Sequence, residues 1–203
     1  MPNWCQTEIR VYSSADDVRS LYNHMKEAFN QGIDTDFGKE WLGNLATYIG
    51  IPYETVPCRG WVDYMYIDGD FDNPEPIDFH LQLSTMTAWG PMVEIIKMFA
   101  DKYCKENKVY YVASEEGNAL YMTNDPDYKG HYVIDICDTG DKYSEFFYDI
   151  DDRDDVSPGR LNLLLREAFG ITGNASTTDL IKRLKKETKN IRIFQYEFEE
   201  VVL

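Results

Sequence analysis

The chain opens with a two-residue alternation. Cys5, Thr7, Ile9 and Val11 fall on one side and Trp4, Gln6, Glu8 and Arg10 on the other, which predicts a strand with one apolar face over Trp4–Tyr12. The period then lengthens. Ser13-Ser14 supplies a helix N-cap, Asp16 and Asp17 fall in the first turn, and Val18, Leu21, Tyr22, Met25 and Phe29 follow at helical spacing until Gly32. A short second helix is predicted over 39–49 from Trp41, Leu42, Leu45 and Tyr48. Strands are predicted over Gly60–Asp68 and 77–87. In the latter, Ile77, Phe79, Leu81 and Leu83 point inward and Asp78, His80, Gln82 and Ser84 outward. Pro91 suits the first position of a helix over 91–106. Two hairpins follow: 109–114 with 118–124 around Glu116-Gly117, and 131–138 with 142–150 around Thr139-Gly140-Asp141.

The order β-α-(α)-β-β-α-β with added strands predicts an α+β fold: a ferredoxin-like antiparallel sheet with helices on one face. After the acidic break at 149–155, Ser157-Pro158 caps a helix carrying Leu161, Leu164, Leu165, Ala168 and Phe169 and closed by Gly170. Ser176 and Asp179 open another with Leu180, Ile181 and Leu184, and 191–202 reads as a final strand. Two short helices do not stand alone in water. Residues 151–203 are therefore expected to pack, as a helical hairpin and final strand, on a core formed by 1–150, in one compact unit.

Composition narrows the class. An apolar share of 43% and an aromatic share of 14% exclude a disordered chain. No run of about 18 apolar residues is present to span a membrane, and the start lacks the pattern of a signal peptide, so a cytoplasmic location is expected. Cys5, Cys58, Cys104 and Cys137 lie far apart, with no histidine at zinc spacing, and read as four small buried residues. The net charge is −16. Residues 1–155 hold 12 Lys and Arg against 30 Asp and Glu, whereas residues 156–203 hold 8 against 6. An acidic body disfavours nucleic acid and suits a basic protein partner, or simply solubility.

Three segments carry a resemblance. Met1-Pro-Asn-Trp-Cys5 leads into the first strand, Thr87-Ala-Trp-Gly-Pro91 lies between a strand and a helix, and Glu115-Glu-Gly-Asn118 lies in the following hairpin. In this order, over residues 1 to about 125, the chain resembles YubB-type proteins, a family carried by phages, plasmids and bacterial genomes. The resemblance implies a ferredoxin-like domain. It implies no reaction, no cofactor and no catalytic residue.

The candidate chemistry follows the outward strand faces. Trp4, Gln6, Glu8 and Arg10 beside Asp78, His80, Gln82 and Ser84 make one polar face with an aromatic at its edge, if the strands are neighbours. RNA-binding sheets use such a face, but this one carries acids and few cations, so a plain solvated or covered face is the first reading. His80 has the chemistry of a general base, with Glu8 or Asp78 to orient it, yet a strand histidine among polar neighbours reads first as a surface residue. Asp68, Asp70 and Asp72 have the front spacing of a calcium loop, but Asn73 and Phe79 stand where glycine and glutamate belong. Trp4, Trp89 and Glu116-Gly117 form either packing corners or a shared recognition surface, packing being preferred. The Lys182–Arg192 stretch is the only basic cluster and reads first as a solvated helix face. With no P-loop, dinucleotide fingerprint or nucleophile elbow, the sequence points to a binding or accessory protein. Nucleic-acid association and an enzyme centred on His80 stand as alternatives.

Overall fold

The computed structural model describes residues 3–69 and 79–200. Ile77 and the candidate residues Asp70, Asp72 and Asp78 lie outside them. Two compact units are present, 1–125 with 199–203 and 126–198. The acidic break at 149–155 falls inside the second. Among the described residues no helix is long and apolar enough to cross a membrane.

The first unit contains β1 (Trp4–Tyr12), α1 (Ala15–Gln31), α2 (Leu42–Tyr48), β2 (Gly60–Asp68), β3 (His80–Ala88), α3 (Val93–Tyr103), β4 (Lys108–Glu115) and β5 (Leu120–Thr123). Its strands run in the order β2-β3-β1-β4-β5, and every neighbouring pair is antiparallel. β1 therefore lies inside the sheet, with β3 on one flank and β4 on the other. The alternation that defines it sends Cys5, Ile9 and Val11 into a core shared with Val18, Leu21 and Met25 of α1, Leu42 and Leu45 of α2, and Ile96 and Phe99 of α3. The helices cover that face only.

Local signals set the boundaries. The Ser14 hydroxyl accepts from the Asp17 amide at the start of α1, and the Gly32 N–H donates to the Phe29 carbonyl at its end. α3 begins at Val93, two residues after Pro91, and Met92 at its N-cap offers no side-chain hydrogen bond. At the start of β2, a Cβ on Gly60 would lie 2.2 Å from the Met86 carbonyl oxygen, so this close approach of β2 to β3 requires glycine.

The second unit contains β6 (Tyr132–Ile136), α4 (Lys142–Tyr148), α5 (Pro158–Phe169), α6 (Thr177–Glu187) and β7 (Ile191–Gln195). The expected strand over 142–150 is a helix, and β6 pairs instead with β7, 55 or more residues away. The aromatic run Tyr143, Phe146, Phe147 and Tyr148 has strand propensity, but a capping box overrides it. Asp141 accepts from the Tyr143 and Ser144 amides while the Asp141 N–H donates to Ser144 Oγ. Phe147 then packs with Ile134, Leu161, Leu165 and Leu184 in a core of its own. The expected strand over 191–202 is interrupted: β7 ends at Gln195, a two-residue strand follows at Glu197–Phe198, and residues 201–202 lie outside the described residues. Cys5, Cys58 and Cys104 are buried as expected, whereas Cys137, just past the end of β6, is exposed.

Asp141 also joins α4 to the end of α6. Its other carboxylate oxygen accepts from the Thr188 hydroxyl and from Asn190 Nδ2. The Thr188 hydroxyl first, and the Ser144 and Tyr143 amides after it, hold the Asp141 carboxyl below its ordinary range, against an opposing cost of burial. A carboxyl lowered on folding contributes stability above its unfolded pKa of about 4, and that contribution is lost as pH falls through the folded value. Asp141→Ala is expected to cost about 1–2 kcal/mol at pH 7. Its melting temperature should converge on that of the parent chain as thermal melts are taken down towards pH 3. Equal melting temperatures at pH 7 would remove the cap from its structural role.

Candidate functional site

The helix-free face of the first unit follows from register. β1 pairs with β3 so that Glu8 stands opposite Ser84, Arg10 opposite Gln82 and Tyr12 opposite His80. β2 and β4 extend these pairs into rows: Tyr64, Ser84, Glu8, Val112; Tyr66, Gln82, Arg10, Tyr110; and Asp68, His80, Tyr12, Lys108. A bulge between Val62 and Tyr64 puts Tyr64 and Tyr66 in phase with the polar residues of β3. The structure thus brings together Trp4, Glu8, Arg10, His80 and Gln82 on one surface, and adds tyrosines from β1, β2 and β4 that sequence reasoning left out.

Glu8 is the centre of the surface. Its Oε2 accepts from the Tyr64 hydroxyl at 2.6 Å and from Gln82 Nε2 at 2.9 Å, and Gln6 Nε2 donates to Oε1 at 3.3 Å. Tyr64 reaches Glu8 across β3. The Ser84 hydroxyl lies beneath that bridge, buried and without a hydrogen bond of normal length. Ser84 was expected to face solvent; the Tyr64–Glu8 bridge explains why it does not. The Tyr64 and Tyr66 rings stack with centroids 6.1 Å apart, and both remain exposed, at 43% and 49%. Burial of the hydroxyl end, then its bond to the Glu8 carboxylate, push the Tyr64 phenol up to about 12.

His80, expected to be exposed, is buried: it stacks on Tyr12 at 4.8 Å, and its Nε2 lies 3.9 Å from Asp68. Glu8 is not its orienting partner, since it sits on the Ser84 row with its carboxylate engaged by Tyr64 and Gln82. Arg10 pairs with Asp125, which is 5% exposed, so the one arginine of the face is neutralised at the sheet. At the opposite end, Trp4 meets Trp61 and Phe37 edge-on, at 4.9 and 6.1 Å.

The two remaining candidates lie at the corner beyond Trp4. Trp89 is 55% exposed, which overturns its reading as a packing corner, and its φ of 74° places a bulky residue in the left-handed region, a strain of about 1–3 kcal/mol. Its N–H donates to the Asn3 carbonyl. The Asn3 side chain in turn fills the space above Gly117, where a Cβ would lie 2.9 Å from Nδ2. The three segments that carry the family resemblance are therefore neighbours. Glu116 itself is exposed in the turn. It is Glu115 that is buried, with its carboxylate accepting from the Asn118 amide. The signal for Glu115 was its place on the inward phase of β4, with Val109, Tyr111 and Ala113.

Among the described residues no group of three His, Cys, Asp or Glu side chains is arranged to hold a metal ion. Comparison of the chain with protein-family models, with curated proteins and with solved structures gives no match.

The Tyr64–Glu8 bond has a direct test. With tyrosine ring carbons labelled, the Tyr64 resonance should titrate near pH 12 and lie closer to 10 in Glu8→Gln, with burial retaining part of the shift. A phenol raised on folding contributes stability below about pH 10, lost as pH rises through its folded value. A Tyr64 titration unchanged by Glu8→Gln would show that the carboxylate does not hold the hydroxyl.

Proposed function

We propose that this chain is a binding protein with a ferredoxin-like first unit, akin to YubB-type proteins, that receives a cationic protein segment on the helix-free face of its sheet. The strand order β2-β3-β1-β4, with helices following β1 and β3, supports the ferredoxin-like reading. The observation that carries the binding reading is Glu8: a carboxylate fixed by Tyr64 and Gln82, flanked by the exposed rings of Tyr64 and Tyr66, on a face whose arginine is already paired. Fixed carboxylates next to tyrosine faces suit arginine or lysine side chains, through ion pairing and cation–π attraction together. Asp68 lies on the same face, and the overall charge of −16 draws cationic partners in.

The stacked and exposed Tyr64–Tyr66 pair favours a second reading, in which the face stacks the bases of a single strand. The carboxylates stand against it, because a phosphate backbone gains from cations. Anisotropy titrations with a labelled arginine-rich peptide and with a thymidine oligonucleotide of similar length separate the two. The peptide should bind, weaken as salt rises, and lose roughly tenfold in affinity in Tyr66→Ala and in Glu8→Gln. Binding of the oligonucleotide in place of the peptide, or peptide affinity indifferent to both substitutions, sinks the proposal.

A further inference from the structure

We infer that the second unit carries a separate docking groove, along the outer edge of β7, for an extended acidic segment of a partner protein. The edge is defined by hydrogen bonding. The Tyr196 N–H donates to the His131 carbonyl, and the Cys137 N–H to the Asn190 carbonyl. With Ile193 opposite Ile134 and Arg192 opposite Asp135, this phase turns the backbone groups of Arg192 and Phe194 towards β6 and those of Ile191, Ile193 and Gln195 away from it. β6 and β7 form a two-stranded sheet. The outer edge of β6 is occupied, since the Ile134 N–H donates to the Arg153 carbonyl and Tyr132 bridges Val156. The outward backbone groups of β7 meet no strand among the described residues.

Beside that edge lies a groove of about 380 Å³, walled by Lys185, Thr188 and Lys189 from the end of α6 and floored by Ile191, Ile193 and Phe194. Lys185 and Lys189 are exposed, and among the described residues neither has an acidic partner. Arg192, also on the groove, is bonded to Asp135 at 2.8 Å and adds little free charge. Three properties therefore coincide: an open strand edge, an apolar floor and exposed lysines. An extended peptide satisfies all three, with its backbone on the β7 edge, alternate apolar side chains on the floor and carboxylates towards the lysines. A nucleic acid uses the lysines alone. The coincidence is notable in a chain of charge −16, where a basic groove is held against the overall field.

The probe is a synthetic peptide that alternates glutamate with valine, titrated into the full chain by calorimetry beside a thymidine oligonucleotide of equal charge. The peptide should bind, the Lys185→Glu/Lys189→Glu double variant should lose roughly tenfold or more in affinity, and the Ile193 amide should become protected from hydrogen exchange on binding. The double substitution lies on exposed positions, so its fold is checked by an unchanged melting temperature. Glu8→Gln, in the first unit, should leave this affinity unaltered and so separates the groove from the sheet face. No peptide binding at low salt, binding without protection of Ile193, or preference for the oligonucleotide overturns the inference.

Discussion

The register between β1 and β3 is the constraint on which the first unit depends. Strand side chains alternate, so a slip of one residue would turn Cys5, Ile9 and Val11 out to the open face and drive Trp4, Glu8 and Arg10 against the helices. Exposing Ile9 and Val11 alone forfeits about 1.5–3 kcal/mol each, and an unpaired carboxylate and guanidinium in the core cost more still. The hydrophobic side of β1 thus fixes the register, and the register fixes everything on the polar side. Glu8 comes to stand beside Ser84 because Ile9 cannot be anywhere but in the core. The face has the geometry of a site as a by-product of the packing beneath it.

A second consequence is that the polar face is not uniformly wet. Tyr64 reaches over β3 to Glu8, and Tyr12 lies on His80, so two residues with outward-facing side chains are covered by their neighbours. Aromatic side chains are long enough to span an adjacent strand, and where they carry a hydroxyl they can end on a partner two strands away. Ser84 shows the result: a hydroxyl roofed by a tyrosine–carboxylate bridge and left with no normal hydrogen bond. The same bridge keeps Glu8 in one position, which a flexible surface glutamate would not hold.

What the sequence made legible is what short-range periodicity encodes. The two-residue alternation located β1, and helical spacing with a Ser14 cap and a terminal glycine located α1 within a residue or two. The same logic failed at 142–150, where aromatic content suggested a strand. Here the deciding signal was small and polar: Asp141 and Ser144 in capping-box spacing, which outweighs the β-propensity of the residues between and after them. The outward phase of β3 was legible, but the burial of His80 and Ser84 was not, because it depends on tyrosines whose position is set by a bulge in another strand. The corner of Asn3, Trp89 and Gly117 shows the opposite case. Trp89 and Gly117 stood out in their own segments and Asn3 did not, and the meeting of the three is created by one backbone hydrogen bond and by the Asn3 side chain lying over Gly117, long-range contacts that leave no mark in the local sequence.

Charge, finally, is organised by pairing as well as by composition. The first unit holds 9 Lys and Arg against 22 Asp and Glu, the second 11 against 14. On these totals both units are acidic, and neither surface should attract an anion. The total is a poor guide to a local field, however, because opposite charges in contact cancel each other and exposed charges more than a Debye length of about 8–10 Å away are screened by salt. Arg10 pairs with Asp125 and Arg192 with Asp135, which leaves Lys108 as the cation of the sheet face in one unit and neutralises the acid beside the groove in the other. What is left over at each place sets its sign. Glu8 and Asp68 against Lys108 leave the sheet face negative, while Lys185 and Lys189 leave the β7 groove positive. Opposite local fields can therefore coexist on one acidic chain, because the residues that define each face are those its ion pairs leave behind.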